Sequence, residues 1–334
     1  MTKKILIIKL GALGDVLRTT PILLGIKEKF NDSEIYWLTK KDSVEILENN
    51  PYIYKILVLP YNFSEKDKFD VLYNFEIEEE PCKLALKIKA DKKYGFYYNQ
   101  GYPNSFNLAS EYYLNTFFDD IIKRENKKTY QEMIFEVAEL EYRKQPIIIY
   151  LNSDDKKYAE NFVNKDNIKI EKLIGIHMGA SSRWPSKSWS KNKIKELIKR
   201  LNERNYSVML FGGPNEKNEH KKLNEELVKE GIEVYYNDPN NSIKQFASLV
   251  NLCKFMICSD TFALHVSLAL KKPTIGLFFC TSPNEIEDYS LLKKITSPLL
   301  YDFFPDKMNL YDEKLVNSIS TEEVLSALDI LLTK

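Results

Sequence analysis

The stretch KKILIIKLGALGDVLRTTPILLGIKEKF, residues 3–30, decides the fold. Its first part is a short apolar run that reads as a strand buried on both faces. A glycine turn follows, and from Val16 the apolar residues fall three and four apart, which predicts a helix to Phe30. Strand, glycine turn and helix in that order bring backbone against a ligand in doubly wound α/β proteins. The turn also delivers a carboxylate, Asp15, to the mouth of a cleft. Taken alone, Asp15 has two readings. It is an acid complementing the helix dipole, or it is an ionised general base.

The turn lacks the GxGxxG dinucleotide fingerprint, and no Lys-Ser/Thr closes it as a P-loop. Working outward, strands are expected over 4–9, 34–38, 55–59, 71–75 and 93–96, and helices over 16–30, 42–48, 81–88 and 130–140. This alternation argues a parallel sheet with helices on both faces. Residues 145–169 read as a joint. The second half then restarts with KLIGIHMGA, an apolar strand running into glycine. Helices over 191–204, 219–230, 243–252 and 261–270 alternate with the strands SVMLFGG, EVYY, KFMICSD and PTIGLFF. Ser320-Thr-Glu-Glu opens a last helix with a good cap signal. The expected fold is α/β, two Rossmann-like domains in tandem, 1–150 and 151–319, facing each other across a central cleft where ligands bind. The helix over 320–334 can pack back on the first domain.

The bulk numbers suit such an enzyme. The chain has 334 residues, too many for one ordinary core. Lys plus Arg equals Asp plus Glu at 48 each, so no global field favours nucleic acid, and an anionic partner must be held locally. Cys82, Cys253, Cys258 and Cys280 show no paired CxxC spacing and read as reduced, buried thiols of a cytoplasmic protein. No metal site is expected. Lys9 and Asp15 interrupt the first apolar run and no small-residue cleavage site follows, so no targeting segment is expected. The run from Pro273 to Cys280 is far short of the ~20 residues a membrane span needs.

Three further segments bear chemistry. Gly179-Ala-Ser181-Ser182-Arg183-Trp184-Pro-Ser-Lys187-Ser-Trp189 follows a strand. Its small residues leave amides open to an anion, and Arg183 and Lys187 add positive charge, so a phosphate site is the better reading over a solvated loop. Trp189 also suits a core anchor. Gly212-Gly213-Pro214-Asn215-Glu216 marks either a structural turn or a nucleotide contact. Asp260 and Thr261 fall at a strand-to-helix junction, as a helix cap or as ligand contacts, with His265 four residues into the helix, where packing is the commoner role.

Together these segments resemble glycosyltransferase family 9, the ADP-heptose:lipopolysaccharide heptosyltransferases, over about residues 3 to 285. The family's GDxLxTxP stands here as Gly14-Asp15-Val-Leu17-Arg18-Thr19-Thr-Pro21, its WPxKxW as residues 184–189, its GGP-x-E as residues 212–216. Its Asp-Ser/Thr-Gly-x-x-His stands as Asp260-Thr261-Phe262-Ala-Leu-His265. The resemblance implies a GT-B fold and inverting, metal-independent transfer of heptose or a related sugar from an ADP-sugar, with no cofactor, to a lipopolysaccharide-core or other surface-glycan acceptor. It implies Asp15 as the base and Lys187 as the charge on the leaving diphosphate. Gly179, Ser181, Ser182, Arg183, Gly212, Gly213, Asp260, Thr261, Phe262 and His265 would line the donor side. Gly14, Arg18, Thr19, Lys92, Lys93 and Arg124 would line the acceptor side, set in basic clusters around the aromatic tract Tyr94 to Phe118. An anionic, lipid-linked acceptor suits such a surface, as do ordinary solvated lysines. The expected setting is the cytoplasm, with peripheral contact at the inner membrane face. Phe262 stands where the family has glycine, and Phe279-Cys280-Thr281-Ser282 where it has Phe-Gly-Pro-Thr. Both departures lie on the donor side and bear on the donor's identity. Another nucleotide sugar, a protein acceptor, or a silent nucleotide- or glycan-binding paralogue are the competing expectations.

Overall fold

A computed structural model of the chain describes residues 2–166, 168–177 and 179–333. Met178, within the expected strand-to-glycine passage, and Lys334, at the expected end of the last helix, lie outside the described residues. The described chain divides into two compact units. The first runs to Tyr150 and regains Asn284–Glu287; the second runs over Leu151–Pro283 and again from Asp288.

The first unit holds a six-stranded sheet of β1 (Lys3–Ile8), β2 (Ser33–Thr39), β3 (Lys55–Val58), β4 (Lys68–Asn74), β5 (Lys89–Asn99) and β6 (Tyr102–Ser105), in the order β3-β2-β1-β4-β5-β6. Five strands are parallel, and β6 returns antiparallel to β5. The continuous apolar run of β1 has its reason in burial: Ile5, Leu6, Ile7 and Ile8 are wholly enclosed, as expected of a central strand with helices on both faces. The second unit holds β7 (Leu173–His177), β8 (Ser207–Phe211), β9 (Tyr235–Tyr236), β10 (Phe255–Ser259), β11 (Thr274–Phe278) and β12 (Leu292–Thr296), all parallel, in the order β12-β11-β10-β7-β8-β9.

Several details differ from the sequence reading. The helix expected over 16–30 is two helices, Leu13–Thr19 and Ile22–Lys29. Pro21 supplies no amide, and the Thr20 hydroxyl takes over locally, donating to Leu17 O at 2.8 Å while accepting the Ile148 amide at 2.8 Å. The aromatic tract is not one surface but the end of β5, the hairpin to β6 and the helix Glu111–Phe118. β12 escapes the hydrophobic pattern because it is a short, charged edge strand, LKKIT. The helix Thr321–Leu332 belongs to the second unit and does not return to the first: its Val324, Leu325 and Leu328 share a core with Leu197, Leu201 and Ile275.

The return of Asn284–Glu287 to the first unit was not anticipated. The buried Glu287 carboxylate accepts from Tyr142 Oη at 3.0 Å and Lys144 Nζ at 3.1 Å, and Asn284 Nδ2 donates to Asn126 O at 3.1 Å.

Candidate functional site

In open parallel sheets ligands gather where the strand order reverses. In the first unit that point lies between β1 and β4, in the second between β7 and β10. Of the residues singled out by sequence, Gly14, Asp15 and Arg18 follow β1, Gly179 to Lys187 follow β7, and Asp260 to His265 follow β10.

In the first unit the glycine turn after β1 is already occupied. Glu76, one turn past β4, places a single carboxylate oxygen on the Leu10 amide (2.5 Å), the Gly11 amide (2.8 Å) and Lys9 Nζ (3.2 Å). Lys9 and Glu76 are 5% and 4% exposed. Burial disfavours the ammonium of Lys9, but Glu76, then Tyr130 and Asp15, outweigh it and hold its pKa well above the ordinary lysine range. An internal carboxylate therefore takes the two amides that a phosphate would use in a nucleotide-binding turn.

Asp15 sits in the first turn of the helix Leu13–Thr19, its side chain 37% exposed and paired to Arg18 at 2.8 Å. Burial works against the Arg18 charge, but Asp15 restores it, and the guanidinium carbon lies over the Tyr130 ring at 3.8 Å from the centroid. Gly14 and Arg18 are partly exposed beside Asp15. Thr19 is not: it is buried, with Oγ1 donating to Asp15 O at 2.6 Å and sharing a 2.6 Å hydrogen bond with Tyr130 Oη. It supports the helix from behind and offers nothing to an acceptor. Lys93 likewise spends its ammonium on the carbonyls of Ala85 and Leu86 at the end of the helix Glu79–Lys87, at 2.9 and 2.8 Å, and burial lowers its pKa. Lys92 on β5 and Arg124 on the helix Asp120–Glu125 are exposed.

In the second unit Lys187 Nζ donates to Asp260 O at 2.9 Å and to Asp260 Oδ2 at 3.0 Å, with both side chains mostly enclosed. The loop that presents Lys187 is fastened at both ends. Ser186 Oγ donates to Leu310 O at 2.8 Å and accepts the Asp312 amide at 3.0 Å; Trp189 Nε1 donates to Ile319 O at 3.1 Å. Trp189 is thus the core anchor that sequence allowed. Asp260 follows β10, and Thr261 caps the helix Phe262–Ala269 without bonding its own helix through the side chain. Thr261 Oγ1 instead lies 3.4 Å from His177 Nδ1 at the end of β7. Burial pushes the His177 pKa down to about 4, so this ring is neutral at physiological pH. His265 is buried, with Nε2 3.9 Å from Asp260 Oδ1.

The two glycine turns of this unit meet at one carboxylate. A Cβ on Gly179 would stand 2.7 Å from Glu216 Cδ, and Gly213 N donates to Glu216 Oε2 at 2.7 Å. Gly212 is buried, its amide bonded to Asn237 Oδ1 at 2.9 Å. Ser181, Ser182 and Arg183 are exposed, Arg183 lying over the Trp184 ring at 4.8 Å. The Phe262 ring packs 5.9 Å from Phe246, which contacts Phe211 and His177 in turn, so an aromatic wall lines this strand end.

The structure thus gathers Asp15, Gly14 and Arg18 in one unit and Lys187, Asp260, Thr261 and His265 in the other. Sequence reasoning missed Lys9, Glu76, Tyr130 and His177. The only signal for Lys9 was a cation inside an apolar run, and for Glu76 an acid just past a predicted strand. Among the described residues no group of three or more His, Cys, Asp or Glu side chains is arranged to hold a metal ion, and no helix is long and apolar enough to cross a membrane. All four cysteines are free and buried.

Two Rossmann-like units in one chain, each a parallel sheet with a switch point, are the architecture of the GT-B fold class. The comparisons with known proteins agree. The model of glycosyltransferase family 9 (heptosyltransferase) matches residues 66–302. Lipopolysaccharide heptosyltransferase 1 of Campylobacter coli is 25% identical over 324 residues, covering 88% of this chain and 91% of that protein. The solved glycosyltransferase family 9 protein of Veillonella parvula superposes with a TM-score of 0.78 at 18% identity, covering 99% of this chain and 97% of that one. The ADP-heptose lipopolysaccharide heptosyltransferase II of Escherichia coli superposes at 0.71 and 18% identity, covering 99% and 98%. The chain belongs to glycosyltransferase family 9.

Proposed function

We propose that this enzyme transfers heptose or a related sugar from an ADP-sugar to a lipopolysaccharide-core or other surface-glycan acceptor, with inversion and without a metal. The observation that carries the reading is the division of labour between the two strand ends. The first unit offers an exposed acid, and its turn amides are taken by Glu76. The second offers the Lys187 ammonium and the N-terminus of the helix Phe262–Ala269, while its Gly212 and Gly213 amides are themselves taken by Asn237 and Glu216. Phosphate therefore suits the second unit and the acceptor hydroxyl the first.

In this mechanism the donor sits at Lys187, Thr261 and the glycine turns, and the acceptor hydroxyl approaches Asp15. Asp15, paired with Arg18, removes the hydroxyl proton as the oxygen attacks the anomeric carbon from the face opposite the nucleotide. The bond to the diphosphate breaks, and Lys187, exchanging Asp260 for the leaving oxygen, takes up the developing charge. Asp260, thus released, holds sugar hydroxyls. The names of the relatives, which include an ADP-heptose transferase and a lipopolysaccharide transferase, support the donor and acceptor classes. Phe118 and Ile121, 65% and 69% exposed beside Arg124, support a lipid-linked acceptor met at the cytoplasmic membrane face.

Asp15→Asn tests the reading. Transfer from ADP-heptose to a lipopolysaccharide inner-core acceptor should fall by about 10²–10⁴-fold, while ADP binding measured by calorimetry stays within about twofold of the parent. Near-normal turnover would sink the base assignment.

A second reading has one observation in its favour. Phe262 opens the helix Phe262–Ala269 with an aromatic ring packed on Phe246. This favours a donor other than ADP-heptose, and a nucleotide-release screen over ADP-, GDP- and UDP-sugars decides between the two.

A further inference from the structure

Behind the glycine turn lies a buried ion pair for which the proposed mechanism has no use. Lys9 and Glu76 are almost fully enclosed, and a lysine and a glutamate in such a place are costly unless they hold something. What they hold is the Leu10–Gly11 backbone, through the Glu76 oxygen. They are also close to Asp15. A Cβ placed on Gly11 would stand 3.3 Å from Asp15 Oδ2 and 3.4 Å from Lys9 Nζ, so the lysine and the candidate base flank the same small space. Only a glycine leaves that space open.

We propose that Lys9, oriented by Glu76, is a positioning residue that sets the proton affinity of Asp15 from behind the turn. The proposal rests on the reading of Asp15 as the base. Two cations then act on Asp15. Arg18 binds it directly on the open side at 2.8 Å, and Lys9 acts through space from the buried side. Two amides and an ammonium converge on one Glu76 oxygen and favour its carboxylate form, against burial and the neighbouring Glu78, which push its pKa up. Its charge offsets that of Lys9, so Asp15 feels only part of the ammonium and remains basic enough to accept a proton. Tyr130 and Tyr113 also face this cluster, Glu78 lies beside Glu76, and Glu285 faces Arg18. The phenols stay neutral, since burial raises both pKa values.

The test is the titration of the Asp15 carboxyl in the full-length protein. It is followed by carbon-13 NMR as the resonance missing from Asp15→Asn. Lys9→Met should raise the Asp15 midpoint by about one pH unit, and Glu76→Gln should lower it, as expected for removing a nearby cation or a nearby anion at an intermediate effective dielectric. Gln retains an oxygen for the two amides, so the turn is kept. Lys9→Arg keeps the charge and should leave the midpoint in place. If one variant fails to fold, the other decides alone. A midpoint unmoved in the folded variants overturns the proposal, even where their transfer rate falls, because a purely structural role lowers the rate without moving the titration. The reading of Asp15 as base fails separately, by transfer surviving in Asp15→Asn.

Discussion

At the scale of the residue, the site is built from side chains whose partners are other side chains of the site. Lys187 illustrates the point. Its ammonium is not waiting in solvent but is bonded twice to Asp260. On the proposed reading a donor diphosphate competes with that carboxylate, and each partner then takes a new role. Lys187→Ala should weaken ADP-sugar binding and slow transfer by about 10²–10³-fold. Calorimetric titration with ADP, alongside the rate, checks this, and a variant unchanged in both would misplace the phosphate site. The positions of Asp15, Lys187 and Asp260 past their strands were legible in the sequence because each follows an apolar run at a glycine turn or a helix start. Thr19 and Lys93 were misread for the opposite reason. Their neighbourhood is right, but direction is not written in a one-dimensional pattern: Thr19 turns inward to Tyr130, 111 positions away, and Lys93 caps a helix that precedes it. Glu76 and Lys9 meet only because β4 pairs beside β1, a register set by tertiary packing.

At the scale of the element, the strands are read easily where burial is complete and poorly where it is not. β1, β10 and β11 announce themselves as apolar runs; β6 and β12 are edge strands of mixed character and do not. The seam between β4 and β5 shows how closely the elements fit. Gly95, with φ +89°, lies on β5 so near its neighbour that an added Cβ would fall 1.8 Å from Asn74 O. No other residue combines that dihedral with that approach. Gly95→Ala should cost about 3 kcal/mol or more, since neither backbone can yield without breaking the ladder. The loss is read from the denaturation midpoint followed by Trp37 fluorescence. Trp37 is the one tryptophan of the first unit, so Trp184 and Trp189 are replaced by Phe in both parent and variant. An unchanged midpoint would refute the close packing.

At the scale of the whole molecule, the strand–glycine pattern that restarts at KLIGIHMGA opens the second sheet, and the contiguous part of the first unit ends at Tyr150. The short segment Asn284–Glu287 was invisible because three polar residues around one isoleucine carry no periodicity. It completes the first unit all the same, since Tyr142 and Lys144 close on Glu287. Glu287→Ala should destabilise the first unit by about 1–3 kcal/mol, because a buried acceptor of two hydrogen bonds is lost. The second unit should keep its stability. Separate transitions, followed through Trp37 and through Trp184 with Trp189, check both halves of that expectation.

This late contribution also bears on how the protein is made. The contiguous part of the first unit ends at residue 150, yet its last members emerge at 284–287. At about 5–20 residues per second, the intervening chain occupies the ribosome for on the order of ten seconds. Over that interval the nascent first unit lacks the Glu287 carboxylate to which Tyr142 and Lys144 donate, and it becomes whole only once most of the second has been translated.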